Sequence, residues 1–116
     1  MHMGSKQWAA RNYSGILQNV GITSTSAKKK TTKQLERHFK GVANHYRIAI
    51  LLLVSKEKGI TLDEITVTVG GNFKTISEHT KKLVQAGLLE KKYMGRHVAH
   101  SVSPYGQKFI KFIQTF

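Results

Sequence analysis

From Thr32 onward the apolar residues recur at helical spacing, and near Leu88 the spacing changes to alternation. Leu35, Phe39 and Val42 stand at i, i+4 and i+7, which predicts one stripe of a helix over residues 32–43. Asn44 then caps a second helix, over residues 45–57, whose centre IAILLLV is apolar all round. A helix of that kind is buried on most sides and supplies the middle of a core. Lys58-Gly59 ends it. Thr61-Leu62-Asp63-Glu64 has the spacing of a capping box, and it opens a short helix over residues 61–68 with Leu62, Ile65 and Val69 facing inward. A Gly70-Gly71 turn follows.

The next stretch, NFKTISEHTKKLVQAGLL (residues 72–89), is the most strongly two-faced in the chain. At 100° per residue Phe73, Ile76, Thr80, Leu83 and Val84 fall on one side. Lys74, Thr75, Glu78, Lys81, Lys82 and Gln85 fall on the other, with Ser77 and His79 at the borders. Asn72 is a good N-cap, and Gly87 stands where a left-handed C′ residue belongs. Residues 88–93 and 96–102 then have strand character, joined by Met94-Gly95 with Gly at the second turn position. Val98, His100 and Val102 alternate onto one face, and His97, Ala99 and Ser101 onto the other. Ser103-Pro104 opens a last helix, striped by Tyr105, Phe109, Phe112, Ile113 and Phe116.

Two helices joined by a tight Gly turn, the second exposed and polar, make a helix-turn-helix arrangement. The second helix of such a pair fits the major groove of DNA. Charge agrees with that reading. Lys plus Arg number 19 against 6 acids, a net +13, which favours a polyanionic partner, nucleic acid ahead of an anionic membrane. A solvated basic surface with a basic tail is the plainer alternative. There is no Cys, hence no disulfide framework and no thiolate metal site. The longest apolar run, residues 48–54, is too short to span a bilayer, and no signal peptide is visible, so a cytoplasmic location is expected.

Residues 1–31 are expected to stand apart from a single domain over residues 32–116. Residues 1–5 (MHMGS) look like a cloning remnant. Residues 6–20 carry Trp8, Tyr13, Ile16 and Leu17 without a clear period, either a short helix or an arm. Residues 23–32 (TSTSAKKKTT) read as a linker, whose three lysines either track a phosphate backbone or are simply solvated.

The order helix, helix, helix, helix, hairpin, helix resembles the ArsR (arsenic-repressor-like) family of winged helix-turn-helix transcription regulators. Three stretches carry the resemblance, which covers residues 32–116. GVANHYRIAIL (residues 41–51) resembles the family's approach to its central helix, ISEHTKKL (residues 76–83) its reading helix, and AGLL (residues 86–89) with Gly95-Arg96 its turn into the wing. Thr80 departs from the family's usual Leu, and Glu78 stands where a basic or neutral residue is common. Glu78 either accepts from the exocyclic amine of a cytosine or folds back onto Lys74, Lys81 or Lys82.

The resemblance implies a mainly α fold with a small β-hairpin wing, dimeric through its first and last helices. It implies a homodimer that binds an inverted-repeat operator on double-stranded DNA, most simply as a repressor. Lys74, Thr75, Ser77 and Glu78 are the expected base contacts, because they sit near the groove-facing end of the helix. His79, Lys81 and Lys82 are expected at phosphates, and Lys91, Lys92, Arg96 and His97 on a basic wing. That hairpin has a plainer reading too, as a solvated one whose lysines protect a sheet edge. Leu35, Phe39, Tyr105, Phe109, Phe112, Ile113 and Phe116 form the expected dimer surface, since one small module cannot bury so much aromatic area alone.

No metal or other cofactor is implied. The last helix has no His, Asp or Glu. His97 and His100, three apart on a strand, point to opposite faces and cannot share an ion. His38 and His45, with Glu36 nearby, read better as surface or packing residues. The competing function is a winged module for protein assembly or non-specific, architectural DNA binding. An enzyme is disfavoured. Asp63 is the only Asp, no Gly-rich phosphate loop follows a strand, and Ser77 and His79 are spaced i, i+2, which splays them apart.

Overall fold

The computed structural model describes residues 29–116. The expected cloning remnant, the segment over residues 6–20 and most of the basic linker lie outside the described residues. The chain divides into two compact units, Met1–Arg37 and His38–Phe116. Among the described residues there are five helices, α1 (Thr32–Val42), α2 (His45–Lys56), α3 (Leu62–Val69), α4 (Phe73–Gln85) and α5 (Pro104–Ile113). Two strands, β1 (Leu89–Met94) and β2 (His97–Val102), lie between α4 and α5.

In the first unit, α1 opens on a reciprocal cap. The Gln34 N–H donates to Thr31 Oγ1 at 3.2 Å, and the Thr31 N–H donates to Gln34 Oε1 at 2.9 Å.

In the second unit, α2 is the central rod and touches α3, α4, α5 and β2. Its Ile50, Leu51 and Val54 are buried, and Ile65 of α3, Ile76 and Leu83 of α4, Leu88, Leu89 and Ile110 of α5 close around them. Asn44 caps α2, its side chain accepting from the Tyr46 and Arg47 N–H groups. Thr61 and Glu64 form the expected capping box at α3, and these bonds hold the Glu64 carboxyl below its ordinary pKa. The chain leaves α3 through Gly70, whose φ of 78° suits glycine alone at low cost.

Helix α4 ends in a Schellman motif. The Leu88 N–H donates to Leu83 O and the Gly87 N–H to Val84 O, each at 3.0 Å, with Gly87 at φ 76°. The start of α5 is tied to this same turn: Ser103 Oγ donates to Gly87 O at 2.6 Å and accepts from the Gly106 N–H at 3.0 Å. The hairpin is antiparallel, with Leu89 opposite Val102 and Met94 opposite His97. That register corrects the sequence reading of the turn. The loop residues are Gly95-Arg96, and Gly95, at φ 64°, occupies the first position, as a type II′ turn requires.

Candidate nucleic-acid interface

Helix α4 buries Ile76, Thr80 and Leu83, as its periodicity requires. Thr80 can occupy a core position because its hydroxyl donates to Ile76 O at 2.8 Å, so no polar group is stranded. The opposite face is open: Lys74, Thr75, Glu78, Lys81 and Lys82 are exposed, and Ser77 and His79 are half-buried at its edges. At the helix start Asn72 Oδ1 accepts from the Lys74 N–H at 2.9 Å and the Thr75 N–H at 3.2 Å. One residue departs from the helical wheel. Phe73, expected in the core, is 52 % exposed, because at the first helical position no preceding turn covers it.

His79 is engaged from behind. Arg47 Nε donates to His79 Nδ1 at 3.3 Å, and the His79 ring stacks on Tyr46 with centroids 5.5 Å apart. Arg47 Nη1 also donates to the carbonyls of Lys40 at 3.0 Å and Gly41 at 3.2 Å, two of the open acceptors at the end of α1. One guanidinium therefore joins the end of α1, the first turn of α2 and the middle of α4. Burial of the ring, then the charges of Arg47, His45 and Lys82, hold His79 below the ordinary histidine range. The Arg47 bond occupies one ring nitrogen of His79 and Tyr46 covers one ring face, which ties the middle of α4 to α2.

The hairpin is anchored at its base. His100 N donates to Ile60 O at 2.9 Å and Gly59 N to His100 O at 2.8 Å, so Ile60 adds a one-residue bridge to β2. The His100 ring is buried and its Nδ1 lies 3.1 Å from Ile60 O. Burial lowers its pKa, opposed by that hydrogen bond. His97, by contrast, is exposed, so the two histidines do face apart. Lys91, Lys92 and Arg96 are exposed along the hairpin and at its tip, and the Lys91 ammonium lies 5.8 Å from the Tyr93 ring centroid.

No protein-family model and no curated protein sequence matches the chain. Solved structures do. The homodimeric winged helix-turn-helix DNA-binding domain of a possible ArsR-family transcriptional regulator from Mycobacterium bovis aligns at a TM-score of 0.66 and 24 % identity, over 72 % of this chain and 78 % of that one. HlyU from Vibrio cholerae aligns at 0.66 and 18 % identity, over 76 % and 96 % of the two chains. NolR from Sinorhizobium fredii aligns at 0.66 and 19 % identity, over 72 % and 84 %. This chain is a winged helix-turn-helix. Helices α3 and α4 are its helix-turn-helix pair, and β1 and β2 are its wing.

Beside the winged core lies an aromatic stripe. Phe39 meets Phe109 edge-on at 5.2 Å, Phe112 meets Phe116 edge-on at 5.1 Å, and Tyr105 packs on His38 at 4.9 Å. Phe109 and Ile113 are half-buried, whereas Phe39, Tyr105, Phe112 and Phe116 are exposed, Phe116 at 93 %. Leu35, in the other unit, is half-buried. His38, weighed above as a metal neighbour, is buried with Nδ1 2.7 Å from Ala86 O. Among the described residues no three His, Cys, Asp or Glu side chains are grouped to hold a metal.

Sequence reasoning missed Arg47 and Tyr46 as the backing of His79. One signal was available. Arg47 is a cation in the first turn of a helix, where the helix dipole disfavours positive charge, and such a residue needs an acceptor from elsewhere.

Proposed function

We propose that the protein is a sequence-specific, double-stranded DNA-binding transcription regulator of the ArsR type that acts as a homodimer on an inverted-repeat operator, most simply as a repressor. The observation that carries this reading is α4: an exposed basic face on a helix capped at both ends, following a glycine turn. Shared architecture with winged helix-turn-helix transcription regulators supports it.

Lys74, Thr75, Ser77 and Glu78 face base edges, and Lys81, Lys82, Lys91, Lys92, Arg96 and His97 lie along the backbone. His79 joins Arg47 in holding the helix rather than touching phosphate. Phosphate contacts supply most of the affinity and base contacts the choice of site. If a dimer neutralises about eight phosphates, affinity falls with a log–log salt slope near −7. The aromatic stripe of α1 and α5 is the two-fold surface, as the homodimeric Mycobacterium bovis domain suggests by analogy. No metal or other cofactor enters this scheme.

Selection of bound duplexes from a random pool tests the proposal. An enriched inverted repeat, bound far more tightly than random DNA at equal salt, is the expected result. Equal affinity for both would favour an architectural role instead.

A further inference from the structure

The exposed ring of Phe73 has no place in the scheme above. Phe73 is the first residue of α4 and is 52 % exposed. Side chains on a helix lean toward its N-terminus, so at the first position the ring projects past the helix end. That is the end which reading helices send toward base edges. Around the ring the N-terminal donors are partly spent. Asn72 already accepts from the N–H groups of Lys74 and Thr75, so this corner offers side chains more than backbone donors. Phe73 and Ser77 lie one turn apart on the same side, and Lys74 and Thr75 follow Phe73 directly.

Among unmodified bases the bulkiest apolar group in the major groove is the C5 methyl of thymine, against only a C5–H on cytosine. An aromatic ring carried into that groove finds its largest complementary contact in that methyl group. We propose that Phe73 reads thymine in each half-site by packing against this methyl group, which adds a specificity-determining residue to the reading set. The inference rests on the DNA-binding role proposed above. It extends that role to the chemical group recognised.

Deoxyuridine replacement isolates the contact, because it removes the methyl and leaves every hydrogen-bonding group of the base in place. The duplex selected from the random pool is remade with each thymine of a half-site replaced in turn, and binding is read by fluorescence anisotropy. One position should bind roughly fourfold more weakly, the effect of re-exposing one methyl-sized apolar group. Phe73→Ala should bind the thymine and uridine duplexes equally, and Phe73→Leu should show a reduced penalty. Circular dichroism confirms that each variant is folded, and either one suffices for the comparison. A scan in which every replacement is neutral overturns the proposal, as does a penalty unchanged in the substituted protein. Failure to enrich any sequence in the selection is a separate result, and it counts against the DNA-binding role itself.

Discussion

Gly41 tests how closely α1 is seated against the end of α4, because two effects of opposite sign meet there. Replacing glycine by alanine near the end of a helix should help by at most about 1 kcal/mol through backbone entropy. Packing says otherwise. A methyl group on Gly41 would stand well inside van der Waals contact with the Ala86 methyl, and near the Leu88 side chain at 3.7 Å. Ala86 has little room to retreat. Its carbonyl is 2.7 Å from His38 Nδ1, and its N–H donates to Lys82 O at 2.9 Å. Overpacking of this kind costs about 1–3 kcal/mol, and the held position of Ala86 puts this case at the upper end. Gly41→Ala should therefore destabilise the fold by at least about 2 kcal/mol net, read as a lower urea midpoint at unchanged slope. Adding Ala86→Gly removes the overlap and should recover most of the loss, the coupling expected of residues in contact. A Gly41→Ala protein as stable as its parent, or more so, would refute the close approach.

Other substitutions address the remaining parts. Lys74→Ala should weaken binding to the selected operator by about 1–3 kcal/mol and relax base choice, whereas Arg96→Ala should weaken all duplexes about equally; competition assays against random DNA would reveal the reverse pattern if reader and clamp were exchanged. Phe109→Asp and Phe112→Asp should each give monomers by light scattering, and a dimer in both would remove the aromatic stripe as the pairing surface. His79 and His100 both have pKa values lowered in the folded protein. The unfolded chain therefore binds their protons first as pH falls. Stability is full above about pH 6.5 and declines below it, toward the lowered folded values. Urea unfolding at pH 5 and pH 7.5 should show this loss, and the double variant His79→Gln, His100→Gln should flatten it.

Local rules carried the sequence reading a long way. Asn44, Thr61, Asn72 and Ser103 each announce a helix start by side-chain chemistry that acts within three residues, and each caps as expected. The apolar centre of α2 is central as its pattern requires, with Ile50, Leu51 and Val54 buried, although Ala49 is exposed and Ile48, Leu52 and Leu53 are half-buried. The hairpin turn lies one residue later than the alternation predicts. Met94-Gly95 and Gly95-Arg96 both put a glycine in a two-residue loop, and only the pairing of Met94 with His97 chooses between them. Phe73 is exposed where the wheel predicts burial, because a helical wheel treats the first residue as though a full turn preceded it. The Arg47–His79 contact spans 32 positions and joins two helices, so no periodicity could report it. Exposure of Lys74 and Thr75 was legible from the wheel. What those side chains touch depends on a duplex whose sequence they would read.

Which surface of the protein meets DNA can be read residue by residue. The measurement is of backbone amide chemical shifts, followed while the selected duplex is added to the labelled protein. The largest changes should run from Phe73 through Lys82 and at the hairpin tip around Arg96, all declining together as salt rises. Glu57, Asp63 and Val67 line an open cleft formed by the end of α2, the following turn and α3, away from the basic face of α4. Shifts confined to that cleft, with α4 unmoved, would overturn this assignment.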